Sequence, residues 1–162
     1  MALEEACFEP GVRETADVYE SRFRGFPDGF LIAEDVKLHR GIGYTTSERW
    51  AKKPISEYEF TLNTETWRKH DPDGSVYYLS SLAILDEYRG QGVGEMLLSS
   101  SIDIGRQAGC EQGILIVGAE WKNAIRLYER LGFATADVRK DFFRPTGLPA
   151  YDGVVMVKNL DS

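Results

Sequence analysis

Apolar residues recur every three to four positions in three stretches of the chain, which is the spacing of one face of an α-helix. The pattern predicts helices over Val12–Arg24, Gly92–Gln107 and Asn123–Leu131. Glycine follows the first and third stretches, as Gly25 and Gly132. Because glycine adopts a left-handed backbone without strain, these positions are typical helix ends.

Five other stretches are rich in β-branched and aromatic residues and predict strands, namely Phe30–Asp35, Gly41–Trp50, Ser75–Asp86, Gly113–Ala119 and Val154–Leu160. The fourth is wholly apolar, as in a strand that is buried on both faces. Residues 51–74 show no clear pattern. Strands dominate the first half, and a strand–helix–strand–helix–strand order follows. We therefore expect one three-layer α/β domain over residues 1–162, with a mixed sheet.

The composition and net charge of the chain argue against several classes of function. The chain of 162 residues carries a formal net charge of −7, which argues against a nucleic-acid partner because phosphate contacts require a basic face. No apolar run approaches the roughly 20 residues that span a bilayer, and the start of the chain lacks the pattern of a signal peptide. Two cysteines and two histidines show no metal-ligand spacing. We expect a cytoplasmic protein without membrane, nucleic-acid or metal partners.

The stretch EYRGQGVGEMLL places Gly90, Gly92 and Gly94 directly before a predicted helix. A helix start carries unpaired N–H groups and favours negative charge, so a bare backbone there suits a phosphate. The stretch does not match a P-loop, because Glu95 follows where lysine is needed, and it does not match G-x-G-x-x-G. Arg89 with the second and third glycines matches R-x-x-G-x-G. A tight turn that binds no ligand is the alternative interpretation.

This glycine turn after a β-rich run resembles the pyrophosphate loop of the GNAT superfamily, the acetyl-CoA-dependent N-acetyltransferases. NAIRLYERLGF, Asn123–Phe133, is similar to that family's later helix with its tyrosine. The resemblance covers roughly residue 76 to the end. It implies a twisted sheet of about seven strands that is splayed between Tyr77–Leu85 and Ile114–Val117, where the arm of acetyl-CoA pairs with exposed backbone groups.

The resemblance also implies roles for individual residues. The amide of Leu82 would polarise the acetyl carbonyl, and Tyr128 would protonate the departing thiolate as a general acid. The alternative for Tyr128 is a core residue that shares a helix face with Ile125 and Leu131. The residues implied to contact the coenzyme are Leu82, Ala83, Ile84, Arg89, Gly90, Gln91, Gly92, Val93, Gly94 and Asn123.

The general base is unassigned. Some members of the family carry a glutamate at the position of Tyr78 and others at the position of Ile116, and this chain has no carboxylate at either. Glu120, His70 or a chain of waters could take the proton. In addition, Trp50 and Trp67 either line an acceptor pocket or pack at an edge of the sheet.

From the resemblance we expect an N-acetyltransferase that moves an acetyl group from acetyl-CoA, as co-substrate, to a primary amine of a small molecule, peptide or protein. Two alternatives stay open. One is a catalytically silent acyl-CoA-binding regulator on the same fold, which the missing base favours. The other is a nucleotide-binding module, against which both failed motifs count. A homodimer is compatible with the sequence.

Overall fold

The computed structural model of the chain describes residues 1–62 and 68–161. Four helices are described: α1 (Ala2–Cys7), α2 (Ala16–Gly25), α3 (Val93–Gln107) and α4 (Lys122–Arg130). The strands are β1 (Phe30–Asp35), β2 (Arg40–Trp50), β3 (Val76–Ile84), β4 (Gln112–Gly118), β5 (Ala134–Phe143) and β6 (Tyr151–Asn159). Short 3₁₀ turns lie at Pro27–Gly29, Ile55–Glu57 and Asp86–Tyr88.

The strands form one mixed sheet in the order β1-β2-β3-β4-β6-β5. β3 and β4 run parallel, and the other neighbouring strands are antiparallel. The predicted α/β class and mixed sheet are confirmed. The expected strand number of about seven is wrong, because the described residues form six and the chain begins with helix α1 rather than with a strand.

Helices α3 and α4 cover one face of the sheet. Their apolar sides pack on buried residues of β3, β4 and β6, among them Tyr77, Leu115 and Met156. The opposite face carries an aromatic cluster of Trp50, Tyr58, Phe60 and Tyr78. Helix α2 reaches that second face through Arg22, whose guanidinium lies 3.5 Å from the Glu48 carboxylate on β2.

Two elements escaped prediction. β5 has mostly exposed side chains because it is an edge strand, so it lacks the apolar alternation that marks a half-buried strand. Helix α1 is only six residues long and contributes a single buried residue, Glu4. The first predicted helix begins later than expected, at Ala16 rather than at Val12. None of the described helices is both long and apolar enough to cross a bilayer.

Candidate active site

The glycine turn links β3 to α3 and has the backbone that the sequence requires. Gly90 and Gly92 have φ of +72° and +84°, and a β-carbon at either position would meet nothing within 4 Å. These two glycines are therefore needed for backbone conformation rather than for tight packing. Gly92 is the N-cap of α3 and has no side chain to cap it, so the first N–H groups of the helix remain without an intrahelical partner.

Gly94 has a different reason to lack a side chain. A β-carbon there would lie 3.2 Å from Leu127 of α4 and 3.8 Å from Ile84 of β3. The third glycine thus lets α4 pack closely against the start of α3. The turn at Gly90 and Gly92 therefore has free space around its backbone, whereas Gly94 serves the packing of the two helices.

Arg89 and Gln91 both fold back on the turn. Nε of Arg89 donates to the Ile84 carbonyl at 3.1 Å, and its Nη1 lies 2.8 Å from the Asp86 carboxylate. The amide of Gln91 donates to the Glu87 carbonyl at 2.7 Å. The Arg89 side chain remains half exposed at the mouth of the turn, so its positive charge is available to an anion at the start of α3.

β3 and β4 part at the centre of the sheet, as predicted. Their pairing runs from Val76 opposite Gln112 to Leu79 opposite Leu115, and it ends there although both strands continue. A gap therefore opens between residues 80–84 of β3 and residues 116–118 of β4. A strand edge of this kind offers N–H and C=O groups to an extended ligand.

The register of β2 and β3 decides which backbone groups face this gap. Antiparallel pairing alternates between residues that exchange hydrogen bonds with the neighbouring strand and residues that do not. The Leu85 amide donates to the Ile42 carbonyl at 2.9 Å, so Ala83, two positions earlier, also directs its backbone groups to β2. Leu82 and Ile84 then direct theirs into the gap.

A cavity of about 100 Å³ lies at this gap, and Leu82, Val117 and Tyr128 line it. The Tyr128 ring is 8% exposed and packs edge-on against Phe133, with centroids 6.0 Å apart. Its hydroxyl forms no hydrogen bond with any other residue of the described ranges. Burial raises the pKa of Tyr128, so the phenol is protonated at neutral pH and can donate a proton.

The opposite wall of the cavity supplies two carboxylates that the sequence did not reveal. Tyr78 and Ile116, at whose positions some members of the family carry a glutamate, line the cavity. Glu4 and Glu14 line it as well. The last two residues are 3% and 6% exposed. They come from helix α1 and from the connection to α2, which tertiary folding brings to the site from outside the recognised motifs.

These carboxylates belong to a buried charged cluster. Arg22 binds both oxygens of Glu14, with Nη2 at 2.7 Å from Oε1. Glu48 completes the cluster, and its second oxygen accepts a hydrogen bond from Trp50 at 3.1 Å. Burial raises the pKa of Glu48, and the nearby Arg22 opposes that shift. Glu4 lies beside this cluster, because its Oε1 accepts a hydrogen bond from the Glu14 amide. Three buried carboxylates and one guanidinium leave a surplus of negative charge that favours a cationic ligand.

Two loops meet above the cavity. The Phe8 ring lies 5.9 Å from Trp121 at the start of α4. The amide of Thr146 donates to the Pro10 carbonyl at 2.7 Å, and Phe8, Val12 and Leu62 also line the cavity. The connection from α1 to α2 thus lines part of the cavity, and the connection from β5 to β6 lies against it.

Other predicted residues lie elsewhere. Nδ1 of His70 accepts a hydrogen bond from the Arg49 amide at 3.2 Å, and its ring stacks on Phe26, so it does not line the cavity. Trp50 stacks on Tyr78 with centroids 3.9 Å apart, which supports the interpretation of edge packing.

Two other residues that were candidates from the sequence do not line the cavity. Glu120 is exposed after β4, and Asn123 is exposed in the first turn of α4. Trp67 lies outside the described residues. Within residues 1–62 and 68–161, no group of three or more His, Cys, Asp or Glu side chains has the arrangement of a metal site.

Known proteins resemble the chain in sequence and in fold. N-alpha-acetyltransferase 30 of Schizosaccharomyces pombe is 39% identical over 56 residues, which are 35% of this chain and 37% of that protein. The loading GNATL domain of CurA from Lyngbya majuscula superposes with a TM-score of 0.82 at 17% identity, over 98% of this chain and 90% of that chain.

The NatC complex bound to Gag peptide and CoA gives a TM-score of 0.72 at 21% identity, over 97% of this chain and 85% of that chain. The curated relatives are matched over about a quarter to a half of their length. A family model described as the acetyltransferase (GNAT) family matches residues 1–133. Because this match spans well over half of the sequence, the chain belongs to the acetyltransferase (GNAT) family.

Proposed function

We propose that the chain transfers an acetyl group from acetyl-CoA to a primary amine. The observation that carries the proposal is that Tyr128 and Leu82 line the same cavity, where β3 and β4 part. The glycine turn at the end of β3 supports it, because free N–H groups and the Arg89 cation suit a pyrophosphate. The relative named above that was crystallised with CoA shares this fold.

In the proposed reaction the neutral amine attacks the thioester carbon. A C–N bond forms and the C–S bond breaks, so negative charge develops first on the carbonyl oxygen and then on sulfur. The Leu82 amide would donate to the oxygen, as in an oxyanion hole. Tyr128 would give its proton to the sulfur. The backbone groups of Leu82 and Ile84 would hold the arm of the coenzyme in the gap.

The acceptor is proposed to enter from the side of Glu4 and Glu14. The surplus of carboxylates there suits a substrate that arrives as an ammonium ion. The apolar neighbours Phe8, Val12 and Ile116 suit a substrate with an aliphatic or aromatic body. The named relatives include N-alpha-acetyltransferases, so peptide amines belong in the test beside small amines. The cytoplasmic location expected for this chain stays a prediction.

The test is a thiol-release assay with acetyl-CoA and a panel of amines: spermidine, free amino acids, an aminoglycoside and peptides with free N-termini. We expect thiol release with at least one class and none without an amine. Calorimetry with CoA runs beside it. Tight CoA binding without thiol release from any amine would instead indicate a silent acyl-CoA-binding regulator. Failure to bind CoA at all would reject the proposed site.

A further inference from the structure

A line of side-chain hydrogen bonds leaves the cavity through β3 and β2. Ser81 Oγ lies 3.3 Å from the Tyr44 hydroxyl, and the Tyr44 hydroxyl donates to Oε2 of Glu4. Because the single phenolic proton of Tyr44 points at the carboxylate, Ser81 is the donor in its contact with Tyr44. The donors therefore point one way, from Ser81 through Tyr44 to Glu4.

The line connects the cavity to a second space, because Glu4 borders both the cavity and a groove. Ser81 borders the cavity that contains Tyr128. Glu4 and Tyr44 also border an open groove of about 520 Å³ beside β1, whose walls include the exposed residues Met1 and Ile32. The line thus begins at the proposed reaction site and ends at a groove that water can enter.

We propose that Ser81, Tyr44 and Glu4 form a proton relay that carries the proton of the acceptor ammonium from the cavity to the groove. This inference rests on the proposed function. One N–H bond of the ammonium breaks as Ser81 Oγ takes the proton and passes its own to Tyr44. Tyr44 passes its proton to Glu4, which becomes a neutral acid. Water in the groove then removes that proton, and the neutral amine attacks.

The relay runs through Tyr44 because both carboxylate oxygens of Glu4 already accept hydrogen bonds. Oε1 of Glu4 accepts the Glu14 amide at 2.8 Å, and Oε2 accepts the hydroxyls of Tyr19, at 2.8 Å, and of Tyr44. The carboxylate is therefore reached through its hydroxyl partners. Burial raises the pKa of Tyr44, so its phenol stays protonated, and the proton moves along a preformed chain rather than through a populated phenolate.

The titratable and charged groups around Glu4 come from every neighbouring element: Cys7 on α1, Glu14 before α2, Tyr19 on α2, Tyr44 on β2, and His39 and Arg40 at the groove. Arg40 is paired with Glu87 at 3.2 Å. His39 is largely exposed, so water and salt screen its interaction with the relay.

The test uses the full chain and the amine that the parent acetylates fastest in the panel. Tyr44→Phe and Ser81→Ala each remove one hydroxyl of the relay. The chain offers a matched control, because Tyr77 and Ser101 form another buried hydroxyl pair, 3.0 Å apart, that borders neither space. Tyr77→Phe and Ser101→Ala therefore reproduce the loss of a buried hydroxyl bond without touching the relay.

At pH 7 we expect Tyr44→Phe and Ser81→Ala to lower kcat/KM for the amine at least tenfold, and the two control variants to stay within threefold of the parent. Ser81→Thr, which keeps the hydroxyl, should restore most of the rate. The loss should shrink toward pH 9.5, because the neutral fraction of an amine with a pKa of about 10.4 rises roughly tenfold per pH unit. Variants without the relay then receive substrate that is already deprotonated.

Three outcomes overturn the relay. The first is a rate within threefold of the parent at pH 7 for folded Tyr44→Phe, and the second is a loss of equal size at every pH, which would indicate structural damage. If Tyr44→Phe does not fold, Ser81→Ala decides by the same criteria. The third is a parent that acetylates no amine, which rejects the proposed function and the relay with it. An active parent with unaffected variants rejects the relay alone.

Discussion

Replacing Tyr128 by phenylalanine tests the proposed chemistry most directly. The substitution keeps a ring that is 8% exposed and packs against Phe133. It removes a hydroxyl that has no hydrogen-bond partner among the described residues. Because the substitution breaks no hydrogen bond with another described residue, it should leave the free energy of unfolding nearly unchanged.

The expected effect on catalysis is much larger. General-acid catalysis contributes roughly 10²–10⁴-fold, which corresponds to about 2.7–5.4 kcal/mol of transition-state stabilisation. We therefore expect kcat to fall at least a hundredfold in Tyr128→Phe. KM for acetyl-CoA should remain near the parent value, because an interaction that is made only in the transition state does not strengthen ground-state binding.

The assay is thiol release under saturating amine, with a melting curve for each protein. Tyr151→Phe is the matched control, since that hydroxyl also has no hydrogen-bond partner among the described residues and Tyr151 does not line the cavity. It should leave kcat within threefold of the parent. If Tyr128→Phe folds like the parent and also turns over within threefold of it, Tyr128 is a packing residue and the general-acid role is refuted.

Four further substitutions, of which Gly109→Ala is a control, probe the turn, a histidine and the buried charges. Gly92→Ala and Gly109→Ala both force alanine to a positive φ with free space around it, so each variant should lose about 1–2 kcal/mol of stability. Only Gly92→Ala should raise the Kd for CoA tenfold, as measured by calorimetry. Equal Kd values for the two variants would disprove the anion site. Burial lowers the pKa of His70, so just below pH 6.5 the unfolded chain binds more protons than the folded chain does. The free energy of unfolding should therefore fall there as the pH falls. Melting curves from pH 7 to 5 should show that His70→Gln lacks this loss. Glu14→Ala leaves the buried guanidinium of Arg22 without its bidentate partner and should cost about 3–5 kcal/mol in urea unfolding, whereas a cost below 1 kcal/mol would mean that solvent reaches the pair.

The part of the site that is proposed to bind the coenzyme was predictable, because its residues are contiguous in the sequence. The glycines must follow a strand and open a helix, and the structure places Gly92 as the N-cap of α3 at the end of β3. The splay between β3 and β4 was also expected, and their pairing does stop at Leu79. What the sequence did not distinguish was that Gly94 serves helix packing against Leu127.

The carboxylates of the site were not predictable by the same means. Glu4 lies in a six-residue helix without a clear periodic pattern, and Glu14 lies in a connection. Their burial depends on partners that are distant in sequence, such as Tyr44, which is 40 positions from Glu4. Charged residues are seldom buried without partners, so a sequence pattern alone gives them the default of a solvated surface.

The difference between the two halves bears on how the acceptor is chosen. The side of the cavity toward α3 and α4 is built from β3, β4 and the two helices that follow them in the chain. The side toward the proposed acceptor includes Phe8, Val12 and Glu14 of the connection between α1 and α2. The connection between β5 and β6 lies against this segment, because the Thr146 amide donates to the Pro10 carbonyl. Gly11 fits this junction because a β-carbon there would lie 2.7 Å from the Thr146 nitrogen. Because loops tolerate more variation than the elements they connect, we expect substitutions at Phe8 and Val12 to change acceptor preference while CoA binding stays near the parent value.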